Sequence, residues 1–230
     1  MSVLPVEESE WEKLIQNLMK EGILRSPRVI ETMRKVPREK FLPENMRSYS
    51  AVDTPLPIGF GQTASAPHMV SIMNEAIQLE TGLKVLEIGA GSGWHAATIA
   101  ELIAPKEAPR SEWGHVYTLE IVQGLAEFAR KNIMNNGYGD RVTIVHGDGS
   151  TGYTEQAPYD RILVTAAAPE TPRPLVEQLK TAGIMLIPVG NLSLFQNLIK
   201  ITKTSDGKIK EENLGGVAFV PLTGRYGHRF

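Results

Sequence analysis

The 230-residue chain contains no cysteine. That absence excludes disulfides, thiolate-bound zinc and any mechanism that begins with a cysteine nucleophile, and it fits a hot or oxidising environment in which thermolabile side chains are avoided. Neither sign of charge is in excess: 24 Lys and Arg against 26 Asp and Glu leave a net charge of -2 and a pI near 6.2. The basic stripe that accompanies nucleic-acid binding is missing, so no nucleic-acid partner is expected. No apolar run approaches the roughly 20 residues of a membrane span, and the opening MSVLPVEESE has neither the basic nor the apolar region of a secretion signal. A soluble, cytoplasmic protein with no membrane partner is the expectation. Internal repeats and low-complexity tracts are lacking too.

What is there suffices for one core. With 42% of its residues apolar, the chain suits one compact domain with an appendage. Residues 1–80 read as helices and a substrate-facing loop packed on the core, and 81–230 as a cofactor-binding domain. The organising stretch is VLEIGAGSGW, residues 85–94. Val85, Leu86 and Ile88 make a short strand of the kind buried on both faces of a parallel sheet. Gly89, Gly91 and Gly93 then let the backbone turn sharply and approach a ligand before helix formers resume at Ala96. A dinucleotide fingerprint needs a glycine at position 94, where this chain has Trp94. Glu87, an acid inside the strand, suits a cationic or hydroxyl-bearing ligand better than phosphates. The pattern resembles the first motif of S-adenosylmethionine-dependent methyltransferases.

Two helices precede this cradle. Ser9 and Glu12 form a capping box ahead of Trp11, Leu14, Ile15, Leu18 and Met19 at helical spacing, with Gly22 as the stop. Ser26-Pro27 opens a second helix, with Val29, Ile30, Met33 and Val36 on one face until Pro37. They carry no chemistry and read as a packing or assembly element; the oligomeric state is left open. Residues 37–67 are rich in Pro, Gly, Ser and Thr, with Phe41, Leu42, Tyr49, Leu56, Ile58 and Phe60 as apolar anchors, and read as a long loop facing substrate. It ends in Thr63-Ala64-Ser65-Ala66-Pro67-His68, where hydroxyls and backbone N–H groups meet the start of a helix over residues 67–79, a natural carboxylate site. His68 reads either as ligand-proximal or as a packed histidine with a backbone partner.

After the cradle come a helix over 94–104, a surface insertion PKEAPRSEWG and a strand HVYTLE. Its closing Glu120 stands where a carboxylate accepts the two hydroxyls of a ribose. A helix over 124–135 leads to the strand RVTIVHGD, where Asp148 can accept from an adenine amino group while Gly149 lets the ring approach; a simple turn explains the same pair. YDRILVTAAAP, a helix near 174–179, AGIMLIPVG and two or three strands from Phe195 to Leu222 complete the alternation. The fold class is α/β: a doubly wound, Rossmann-like sheet, mostly parallel, with an antiparallel edge. The tail 224–230 either orders over the site or frays.

The chemistry is narrowed by further absences. Strand four ends in Thr165-Ala166-Ala167-Ala168-Pro169 instead of the NPPY type of motif used on exocyclic amines, cytosine C5 methylation needs the missing cysteine, and no carboxylate cluster suggests a metal. What remains is an acceptor that needs no activation. A carboxylate is already ionised at neutral pH, so methyl transfer to it requires alignment and exclusion of water more than a base.

Together GQTASAPHM, VLEIGAGSGW, GDGS, PYDRILVTAAAP and GGVAFVPLTG resemble the protein-L-isoaspartate O-methyltransferases. The resemblance implies S-adenosylmethionine as cofactor, S-adenosylhomocysteine as product, and isoaspartyl-containing proteins and peptides as partners, repaired through a succinimide. It also implies that Ser65 matches the family's active-site serine; Thr63, Ala64, His68, Ile58 and Gly59 stand on the substrate side by their place in the loop. Glu87, Gly89, Gly91, Ser92, Gly93, Glu120, Asp148, Gly149 and Thr223 match cofactor positions, and no metal is implied. Ala64 departs from the family, which commonly has a β-branched residue there. Other readings of the residues are a methyltransferase for a small carboxylate or for RNA, an NAD-dependent oxidoreductase, and a non-catalytic nucleoside-binding or assembly protein.

Overall fold

The computed structural model describes residues 9–191 and 196–229. Phe195, the expected start of the closing strands, and Phe230 lie outside the described residues. Two amphipathic helices open the chain, α1 (Glu10–Lys20) and α2 (Pro27–Lys35). Only half of the expected capping box forms: Ser9 Oγ accepts the Glu12 N–H at 3.2 Å. The Glu12 carboxylate turns instead to Arg34 of α2, 2.7 Å away, because a bidentate guanidinium outcompetes a single backbone N–H. Leu14, Ile15 and Leu18 of α1 and Val29, Ile30 and Met33 of α2 are buried. At about 1.5–3 kcal/mol for each large apolar side chain buried, their inner faces hold these helices down.

Residues 37–67 depart from the expected loop. Two short 3-10 turns (Arg38–Phe41, Glu44–Tyr49) lead into a hairpin of β1 (Leu56–Gly59) and β2 (Gln62–Ala64), whose inward Leu56, Ile58 and Ala64 join Leu42 and Leu125 in a small core of their own. The alternation that marks a strand spans only four residues here, too few to stand out among prolines and glycines. α3 (Pro67–Ala76) follows, ending three residues before the expected position.

The rest alternates: β3 (Lys84–Ile88), α4 (Trp94–Ile103), β4 (His115–Glu120), α5 (Gln123–Asn135), β5 (Val142–His146), β6 (Tyr159–Val164), α6 (Arg173–Gln178), β7 (Leu179–Gly190), and the hairpin β8 (Gln196–Lys203) and β9 (Ile209–Val217). The seven-stranded sheet has the order β5-β4-β3-β6-β7-β8-β9. β3 to β7 pair in parallel, and β8 and β9 add antiparallel at one edge. Period-two alternation splits the core between the two faces. Val85, Leu163 and Leu186 pack with α1 to α5, while Leu86, Ile162 and Met185 pack with α6 and the 149–156 turns. The sheet changes direction between β3 and β6, the switch point at which open α/β sheets bind their ligands.

Candidate active site

At that switch point an open cleft is lined from three sides. Gly89, Ala90, Gly91 and Ser92 form its floor, Glu120 to Val122 and Leu125 one wall, and Gln62 to Ser65 with residues 220–223 the other.

The floor is left-handed backbone. Gly89, Gly91 and Gly93 have φ of +97°, +52° and +83°, a region that L side chains enter only at a cost. Gly89 and Ala90 both donate to Leu119 O, at 2.8 and 3.1 Å. A Cβ at Gly89 would lie 2.4 Å from Thr165 Oγ1, the hydroxyl that bridges Ile88 O and Gly89 O from the end of β6. Trp94, in place of a fingerprint glycine, is buried; its indole N–H donates to Val36 O at 2.9 Å, and it meets Trp11 edge to face.

Glu120 lines the wall and already has work in the protein. One carboxylate oxygen accepts Gly91 N–H at 2.9 Å and the other Val122 N–H at 3.0 Å, so it braces the loop while each oxygen keeps the capacity to accept one more hydrogen bond. Ile121, Val122 and Leu119 make the adjoining wall apolar, a surface suited to a purine. The sequence reading missed them, although an apolar pair directly after the strand-end acid was a signal.

Glu87 and Asp148 are placed otherwise than the sequence reading assigns them. Alternation along β3 puts Glu87 on the helix-covered face, fully buried and outside the cleft, where it accepts from Thr118 Oγ1 at 2.5 Å. Its other oxygen is 3.8 Å from His95 Nδ1, and neither atom has a hydrogen-bond partner. Burial pushes Glu87 up to about 8 and His95 down to about 3, so both are neutral near pH 7. His95, also missed, does line the cleft, with Nε2 3.2 Å from Asn74 Oδ1. Asp148 faces the tail: it accepts from Ser150 N and Oγ at 2.9 and 2.6 Å and from Arg225 N at 2.8 Å. Gly224 passes so close that a Cβ there would sit 2.1 Å from Asp148 Oδ1. The tail therefore packs against the Asp148 turn through Arg225 and Tyr226, with Thr223 on the cleft, and Gly149 alone of the Asp148-Gly149 pair lines it.

On the substrate side the cleft takes Thr63, Ala64 and Ser65. Ile58 and Gly59 belong to the hairpin behind them, and Gly93 and His68 lie outside the lining. The expected carboxylate site at the α3 N-terminus is occupied. Asp53 accepts both the His68 N–H and its ring Nδ1, each at 2.9 Å, and the next two N–H groups donate to Ala66 O. Ala66, not Ser65, is the N-cap residue. That leaves the Ser65 hydroxyl half-buried on the cleft with no hydrogen-bond partner among the described residues, whereas the partly exposed His68 ring is held by the Asp53 carboxylate outside the cleft lining. Among the described residues no group of three His, Asp or Glu could hold a metal ion, and no helix is long and apolar enough to cross a membrane.

Comparison with known proteins agrees with this geometry. The family profile described as Protein-L-isoaspartate(D-aspartate) O-methyltransferase (PCMT) matches residues 9–227. A protein-L-isoaspartate O-methyltransferase of Hyperthermus butylicus is 54% identical over 227 residues, covering 96% of this chain and 94% of the relative. One of Thermococcus sibiricus is 52% identical, covering 96% of each. Among solved structures, the Plasmodium falciparum member bound to S-adenosyl-L-homocysteine superposes with a TM-score of 0.82 at 30% identity, covering 94% of this chain and 99% of that one. On the strength of a cleft with a glycine floor, a strand-end acid and a serine-bearing wall, and of these matches over nearly its whole length, the chain belongs to the protein-L-isoaspartate(D-aspartate) O-methyltransferase family.

Proposed function

We propose that the protein transfers a methyl group from S-adenosylmethionine to the free α-carboxylate of L-isoaspartyl residues in damaged proteins and peptides. The methyl ester then loses methanol as the neighbouring backbone nitrogen closes a succinimide, and hydrolysis of that ring returns part of the chain to normal aspartate. The observation that carries this reading is the meeting of two unlike walls in one cleft: a glycine loop braced by Glu120, and a segment presenting the unpartnered Ser65 hydroxyl.

In this reading Gly89, Gly91 and Ser92 seat the nucleoside end of the cofactor, Glu120 accepts the ribose hydroxyls, and Thr223 and Gly149 close over it. S-adenosylmethionine supplies a sulfonium-activated methyl group. Ser65 donates to the acceptor carboxylate, with the Thr63 and Ala64 backbone beside it, and the hairpin β1–β2 excludes water. No base is needed, because the acceptor is already anionic; His95, neutral near pH 7, is not asked to be one. Residues 1–80 then act as the substrate-facing part and 81–230 as the cofactor-binding part of one domain. A cytoplasmic site of action belongs to the same reading. Any assembly through α1 and α2 has to use their polar outer faces, since their apolar faces are buried in the core.

The test is selectivity. Isoaspartate routes the main chain through its side-chain carboxyl and leaves the α-carboxylate one methylene closer to the backbone than an aspartyl carboxylate, and a displacement reaction is sensitive to such a shift. Mass spectrometry of matched peptides incubated with S-adenosylmethionine should show a gain of one methyl on the isoaspartyl peptide alone. Equal methylation of the aspartyl peptide rules the repair function out.

A further inference from the structure

Arg38 lies outside the cleft, yet it is fully buried and spends its side chain on the substrate-facing segment. Nη1 donates to Val52 O at 3.3 Å, and Nη2 donates to Thr54 O and Ala64 O, each at 2.9 Å. The three carbonyls flank the hairpin β1–β2 on both sides. On the other side Cζ stands 5.5 Å from the ring centroid of Trp94, the first residue of α4 after the glycine loop. One planar group thus ties both arms of the hairpin to the element that carries the cofactor floor. Taking a guanidinium out of water is costly, and burial pulls Arg38 down to about 10. The opposite charge that acts on it, Asp53, is held by His68.

We propose that Arg38 is a positioning residue for the methyl acceptor: by fixing the Ala64 carbonyl relative to Trp94, it sets where the Ser65 hydroxyl stands over the glycine loop, without touching substrate or cofactor. This rests on the methyltransfer reading above. Displacement at carbon requires the acceptor oxygen, the methyl carbon and the departing sulfur to be nearly in line, and a misplacement of about 1 Å can cost about a hundredfold. Lysine cannot replace this clamp, because a single ammonium on a flexible stem cannot hold three carbonyls in the fixed directions of a guanidinium fork.

The test uses the full chain and compares Arg38→Lys with Arg141→Lys. Arg141 is equally buried and holds Ala104 O at 2.9 Å and Gly137 O at 3.1 Å, remote from the cleft. Arg38→Lys should lose roughly 10- to 100-fold in kcat/KM for an isoaspartyl peptide, with S-adenosylhomocysteine affinity by calorimetry unchanged. Arg141→Lys should lower the melting temperature while keeping kcat/KM per folded molecule. An Arg38→Lys protein with wild-type kcat/KM overturns the proposal, as does one that loses S-adenosylhomocysteine affinity in step with peptide turnover. If Arg38→Lys does not fold, Arg38→Met, which removes the buried charge, carries the same two measurements. A wild-type protein inactive on the isoaspartyl peptide overturns the functional reading instead; an active wild type beside an equally active variant overturns the positioning role alone.

Discussion

On the cofactor side of the cleft the glycine loop is tied to the ends of the sheet's own strands. Gly89 and Ala90 hang from Leu119 O, Thr165 bridges the ends of β3 and β6, and Glu120, at the end of the next strand, braces Gly91 across 29 positions. On the substrate side a two-stranded hairpin is placed by side chains that reach it from elsewhere: Arg38 on Ala64, and Asp53 on the start of α3. One wall is built on the carboxyl ends of interior strands of a seven-stranded sheet and shares its rigidity. The other is an attachment whose position depends on a few polar contacts, so damage to the first should appear in cofactor binding and damage to the second in turnover.

The largest expected effect is on the first wall. In Gly89→Val a branched side chain is placed at φ +97° with its Cβ 2.4 Å from Thr165 Oγ1, against two strand ends that cannot separate. Overpacking together with left-handed strain should cost roughly 2–5 kcal/mol of stability, and S-adenosylhomocysteine binding should fall below detection by calorimetry. A Gly89→Val protein that binds near wild-type affinity would mean the floor is looser than its hydrogen bonds imply.

Next comes the second wall. Ser65→Ala should lower turnover of an isoaspartyl peptide by roughly 10- to 1000-fold, as loss of one positioned donor does. Cofactor affinity and melting temperature should stay near wild type, since the hydroxyl holds nothing in the protein and Ala66 caps α3. A destabilised but fully active Ser65→Ala protein would give the serine a structural role and move attention to Thr63.

The same contrast explains what the sequence made legible. The strand, glycine turn and helix of residues 85–94 are encoded by neighbours in the chain, and so is Glu120 at a strand end; these fall within a residue or two of their expected places, whereas the antiparallel closing hairpin forms but ends at Val217, five residues short of Leu222. The substrate side is not encoded locally. Arg38 reaches Ala64 across 26 positions, and Asp53 takes the α3 N-terminus across 15, so the free helix end read from Thr63 to His68 is an end already filled. Glu87 lies off the cleft for another reason. The motif fixes which residue follows which, but the face on which a strand residue points depends on which helices cover it, and α4 and α5 cover the Glu87 face.

The smallest effect separates Glu87 from the cofactor floor it lies beneath. In the unfolded chain Glu87 ionises near 4.5, whereas burial holds it at about 8 in the fold; His95 takes a proton near 6.5 when unfolded but is held down at about 3. Between pH 4.5 and 6.5 unfolding releases the proton of one and gives one to the other, and the two contributions nearly cancel. Above pH 6.5 only that of Glu87 remains. The folded state then carries one proton more than the unfolded, so stability should fall by about 1.4 kcal/mol per pH unit until the folded carboxyl ionises near pH 8. Glu87→Gln removes this slope: from pH 6.5 to 8 the wild type should lose about 2 kcal/mol that the variant keeps, read from guanidinium midpoints at the two pH values. Equal slopes would mean that the fold holds no extra proton at Glu87 above pH 6.5, its carboxyl being already ionised there. Affinity for S-adenosylhomocysteine should survive in the variant, because Glu87 does not line the cleft; a loss approaching that of Gly89→Val would extend the cofactor wall into the strand beneath it.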